Sequence, residues 1–126
     1  MVLTDISQLS AECTDWRQIL RNYKEEFHDC RKALQQACHN NLSKDQLREV
    51  DHFDSQFHIQ LINIHDLKQA IKMHTRKIEF EMANGENIPD AIYAGHEDLL
   101  DQFLVLESTL QILRDEFKNF VNATSC

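Results

Sequence analysis

A chain of 126 residues, 42% hydrophobic and 27% charged, has the size and balance of one domain with one core. Its formal net charge of −8 repels phosphate backbones and anionic headgroups, so neither nucleic acid nor a membrane surface is an expected partner. Two glycines and one proline leave few places to turn, which predicts few and long elements.

The first helix is read from Trp16, Leu20, Tyr23, Phe27, Cys30, Leu34 and Ala37, whose alternating four-three steps form the a/d stripe of a heptad helix. Carried backwards, the register picks up Cys13, Leu9, Ile6 and Val2, which sets helix one at about 5–41 with Thr4 as its cap. Asn40-Asn41-Leu42 then breaks the period, and Ser43 followed by Gln46 has the form of a capping box for a second helix.

Helix two is expected over about 44–83. Val50, Phe57, Ile64, Ile71 and Ile78 recur every seventh residue as one seam column; Phe53 and Leu67 supply the other, interrupted by Gln60, His74 and Glu81. Asn84-Gly85 suits the left-handed end of a helix, and 84–95 is expected to be a loop in which Pro89 favours a turn and Ile88, Ile92 and Tyr93 fold over the bundle end. Helix three, about 96–122, carries Leu99, Phe103, Leu106, Leu110, Leu113, Phe117 and Phe120. A tight first turn makes neighbouring helices antiparallel. The expected fold is a single all-α domain over 1–126, an antiparallel three-helix bundle with coiled-coil-like heptad packing.

No apolar run approaches the ~20 residues of a membrane span, and Met1 to Asp5 lacks the basic and apolar segments of a secretion signal. Cysteines at 13, 30, 38 and 126 form no Cys-x-x-Cys pair, and the first three share one helix, which fits free thiols in the cytoplasm.

Several residues are not needed by the seams. Ile59, Met73 and Phe80 share one off-seam column of helix two, with Ile62 beside it, and Leu104, Val105 and Ile112 lie off the stripe of helix three. A central helix that touches two neighbours needs a wide apolar stripe; the alternative is a second contact face for another protein.

Two Glu-x-x-His motifs, Glu25 to His28 and Glu49 to His52, have the spacing that sets two metal ligands on one helix face. Their heptad positions point outward or flank the seam, so surface pairs are the expected reading and no metal or other cofactor is expected. His58 and His65 share a column with no third ligand between them; His74, like Gln60, reads as a polar register-setter in the seam. Cys13 and Cys30 read as small apolar fillers, and Cys38 beside His39 is the best candidate for a reactive thiol. No glycine-rich phosphate loop or nucleophile motif is present, so no catalytic residue is expected.

In helix two, Leu42-Ser43 and Leu47, then Asp51-His52-Phe53-Asp54-Ser55-Gln56-Phe57, then Leu67-Lys68-Gln69-Ala70-Ile71 resemble a group of small uncharacterised helical proteins from Bacteroidetes-type bacteria. The likeness covers about 30 residues and differs from the group's pattern at Asp54-Ser55 and Gln69-Ala70. It implies a bacterial, cytosolic helical protein and assigns no activity and no site residue.

Two functional readings follow. The first is a non-catalytic bundle acting through protein–protein contact, with a partner or with itself as a homodimer, through Ile59, Ile62, Met73 and Phe80 on the outer face of helix two. The second is a metal-binding bundle that uses the Glu-x-x-His pairs.

Overall fold

The computed structural model describes residues 6–37, 42–85 and 88–124. It contains three α-helices, α1 (Ile6–Ala37), α2 (Lys44–Asn84) and α3 (Asp90–Thr124), and no strand among the described residues. The fold is an all-α three-helix bundle. α2 is the longest element at 41 residues, about 60 Å at ~1.5 Å per residue, and both other helices pack along it more extensively than they pack on each other.

The seams emerge as the heptad pattern requires. Leu9, Cys13, Trp16, Leu20, Tyr23, Phe27 and Leu34 of α1 are buried in four-three steps, facing Val50, Phe53, Phe57, Ile64, Leu67, Ile71 and Ile78 of α2. Cross-helix pairs fix the directions. Phe27 meets Phe57 and Arg31 meets Asp54, while Phe53 meets Phe117, so α2 runs antiparallel to both α1 and α3.

The α2 caps follow their local chemistry. The Ser43 hydroxyl accepts from the Gln46 backbone N–H, and the Ser43 backbone N–H donates to the Gln46 side chain at 2.8 Å, which closes the capping box. Gly85 ends the helix at φ 64°, in the left-handed region that an L side chain rarely adopts, and its N–H donates to the Met82 carbonyl.

The boundary of the third helix differs from expectation. α3 starts at Asp90, directly after Pro89, and not near His96, so Ile92 and Tyr93 lie within the helix and not in a loop over residues 84–95. The Ile92 N–H donates to the Pro89 carbonyl at 3.0 Å in the first turn. Ile92, His96 and Leu99 continue the four-three seam, and Gly95 is simply carried inside the helix at the modest cost of a helical glycine. The expected start of helix one at Thr4 and Asp5, the break at Asn40-Asn41, and Cys38, His39 and Cys126 lie outside the described residues.

The off-seam apolar residues are not absorbed by the bundle. Met73 is 60% exposed, Phe80 64% and Val105 69%, and Ile59, Ile62, Leu104 and Ile112 are about half exposed. The stripe of α2 that meets its neighbours is the seam columns with Leu61 and Ala70 partly buried beside them. No helix among the described residues is long and apolar enough to cross a membrane.

Candidate metal centre

One end of the bundle gathers the amino-terminal part of α1, the carboxy-terminal part of α2 and the start of α3. Each contributes one polar residue at a seam position: Cys13, His74 and His96, which are 0%, 7% and 5% exposed. Seam positions point into the core because side chains three and four apart share a helix face. Three helices that converge on one axis thus bring three such residues together. Their ligand atoms all lie within 4.8 Å of one another.

Two of the three ligand-atom separations approach those of a coordination polyhedron. His74 Nε2 lies 3.1 Å from His96 Nδ1, and Cys13 Sγ lies 4.0 Å from the same nitrogen. A tetrahedral zinc-class ion, with bonds of about 2.0–2.1 Å to nitrogen and 2.3 Å to sulfur, requires edges of roughly 3.3 Å and 3.6 Å. Shifts of a few tenths of an ångström would meet both values.

The far side of His96 is also engaged. Its Nε2–H donates to Glu12 Oε2 at 2.8 Å. In the neutral ring that donation leaves the lone pair on Nδ1, which faces Cys13 and His74. A carboxylate on the outer nitrogen of an imidazole is the usual way in which a metal-ligating histidine is oriented and its tautomer set. Trp16, one turn from Glu12 and Cys13, lies against the His96 ring at a centroid separation of 4.7 Å and packs on Phe103 behind it. A Cβ at Gly95 would stand 3.8 Å from the His74 ring, so α3 passes that imidazole at van der Waals distance.

Burial favours the neutral forms, which suits an imidazole ligand and works against the thiolate that a metal would need. Burial pushes the Cys13 thiol above its ordinary 9.0; the Thr75 hydroxyl and Arg17 oppose the shift and Glu12 adds to it. Burial also holds His74 below the usual 6.5, with repulsion from His96 and Lys77 in the same direction. The imidazole is therefore kept in the form that binds metal. Without an ion, His74 Nε2 and Cys13 Sγ both lie within hydrogen-bond reach of His96 Nδ1, the donor roles being set by the tautomers. A metal ion at His74 Nε2 would require the imidazole proton to sit on Nδ1, and at Cys13 it would ionise the thiol.

The residues singled out from sequence are placed elsewhere. Glu25, His28, Glu49 and His52 are all exposed, on the outer surfaces of α1 and α2, and the structure does not assemble them into one cluster. His58 and His65 line the groove between α1 and α2 with Ile62. Gln60 is buried in the seam, where its Oε1 accepts from Asn63 Nδ2 of the same helix at 3.1 Å. His74 is buried in its seam as expected, but it meets a second histidine. Cys13, read as an apolar filler, shares that contact. His96 was assigned to a helix boundary and so had no seam position. A signal was nevertheless present: Cys13 and His74 stand at nearly equal sequence distances from the turn at Leu42, so an antiparallel hairpin brings them level.

No family profile, no curated protein sequence and no solved structure matches the chain, so the site is read from its own geometry.

Proposed function

We propose that the protein is a metal-binding helical bundle that holds a zinc-class divalent ion at Cys13, His74 and His96, with Glu12 orienting His96. The observation that carries this reading is the convergence of three soft and borderline donor atoms, one from each helix, within 4.8 Å and inside the core. One thiolate and two imidazoles suit zinc, or cobalt as its spectroscopic stand-in, and disfavour magnesium or calcium, which take oxygen ligands. Three protein ligands leave a fourth position for water or a small exogenous ligand. An ion there would also tie all three helices together at one level, so binding would appear as stability.

The test is titration of zinc and cobalt(II) into the purified chain. One ion per chain, a cobalt–thiolate charge-transfer band, and a Tm raised on the order of 10 °C at about a hundredfold excess over Kd are expected. Cys13→Ser and His74→Ala should lose all three effects, while Glu25→Ala and Glu49→Ala keep them. Absence of binding, or dependence on Glu25 or Glu49, would overturn the assignment.

A second reading is supported by the exposure of Ile59, Ile62, Met73 and Phe80 on α2. An apolar face of this kind suits contact with another protein or a second copy. Sedimentation of a Met73→Glu/Phe80→Glu variant tests it: unchanged mass and unchanged capture of partners would count against that face.

A further inference from the structure

The groove between α1 and α2 has a charge opposite to that of the chain as a whole. Along α1, Arg17, Arg21, Lys24, His28 and Arg31 repeat in four-three steps one position beyond the seam, with no acidic residue in the column. Across from them, α2 presents His58, His65, Lys68 and Lys72, with Asp51 and Asp54 in the same columns nearer its start. Leu61 supplies an apolar floor between Lys24, His28 and Arg31 on one side and His58, His65 and Lys68 on the other, with half-exposed Ile62 at the outer rim. At one end Arg31 is neutralised, since its Nε–H donates to Asp54 Oδ1 at 2.9 Å. Lys68 titrates lower than an ordinary lysine because it is partly buried and faces Lys24, Arg21 and Arg17. The cationic groups of the groove therefore repel one another.

The outer face of α3 has the complementary character. It exposes Asp101 and Asp115 with Leu104, Val105 and Ile112 between them and Lys118 beyond Asp115 on the same side; Asp101 and Val105 also line the groove between α2 and α3. Over the whole helix acidic residues outnumber basic ones, and of the latter Arg114 is already paired with Glu26 and laid over the Tyr23 ring. In a three-helix cross-section the outer edge of α3 lies opposite the α1/α2 groove. A chain can thus offer both surfaces at once.

We infer that the protein self-associates head to tail, with the acidic, apolar outer face of α3 from one copy seated in the basic α1/α2 groove of the next. The contact is heterologous: two different surfaces meet, and each copy retains one unused surface of each kind for a further copy. The acidic flanks match the basic walls while Leu104, Val105 and Ile112 cover Leu61 and Ile62. Opposite charges set the register and speed the encounter, and the apolar centre holds it.

Sedimentation velocity over a concentration series tests the inference with two variants on different surfaces. Lys24→Gln/Lys68→Gln removes charge from the groove, and Val105→Lys/Ile112→Lys spoils the α3 face. The native chain is expected to form species larger than a monomer, weakened on the order of tenfold from low to high salt. Each variant alone should remain monomeric. Mixed, they should form a 1:1 complex and nothing larger, because only one good groove and one good α3 face remain between them. A native chain that stays monomeric at all concentrations overturns the inference, as do variants that assemble normally. So does loss of assembly from Met73→Glu/Phe80→Glu with the groove variants unaffected, which would assign contact to the outer face of α2. Binding of a labelled oligonucleotide by a chain that stays monomeric would instead make the groove a polyanion site. None of these outcomes depends on the metal centre, which Cys13→Ser tests separately.

Discussion

The two ends of the bundle use the same seam positions for different chemistry. At the end where α2 begins, Phe27, Phe53, Phe57, Phe117 and Phe120 stack and meet edge to face, with centroid separations of 4.9–6.3 Å. At the other end Cys13, His74 and His96 occupy equivalent positions and bond to one another. The aromatic end needs only area and shape to be stable. The polar end gives up that apolar area, and three helices with mutually satisfied ligand-type groups are a poor substitute for it unless the groups bind something.

Mutations can break that contrast, and the largest effect is expected at the aromatic end. Phe57 is fully buried among three other rings, and Phe57→Ala should cost about 3–5 kcal/mol in urea unfolding. Because Phe57 and His74 lie roughly 25 Å apart along one helix, the zinc-induced rise in Tm should survive in that variant. Loss of the zinc response would show that the two ends are not independent.

At the polar end, Glu12→Gln leaves the three ligands in place but weakens the acceptor for His96 Nε2–H. Zinc affinity measured with a competing chelator should fall about 10–100-fold. An unchanged affinity would mean that Glu12 orients nothing.

Smaller effects sharpen the picture of the aromatic half. Ser43→Ala removes the capping box of α2 and should lower stability by about 1 kcal/mol without altering metal binding. The smallest expected effect concerns pH. Burial, helped by Glu26 and Asp29, pushes the Cys30 thiol up to about 11 from 9.0 in the unfolded chain. A raised folded-state value means that the contribution is fully present below pH 9.0 and is lost as pH rises through about 11. Chemical denaturation of Cys30→Ala across that range should show a shallower alkaline decline than the native chain.

Most of the architecture was legible because period and punctuation are local properties. The four-three stripe of α1, the two seam columns of α2, the Ser43 and Gln46 cap and the end at Gly85 each follow from nearby residues. The start of α3 was not legible for a related reason. A histidine in the seam at His96 and a glycine before it interrupted the apolar pattern, so the period seemed to begin only at Leu99. The residue that hid the helix boundary is the one at the centre of the candidate site.

What the sequence determined by itself was three long helices, their antiparallel order around one core, and the polarity of Gln60 and His74 within the seam. What tertiary structure alone decided was which polar seam residues share a level. Cys13 and His96 are separated by 83 residues and meet only because α1 and α3 both pack on α2 in a particular axial register. That register is set by side chains interlocking along the full length of α2, a property of the assembled core that no single stretch of chain contains.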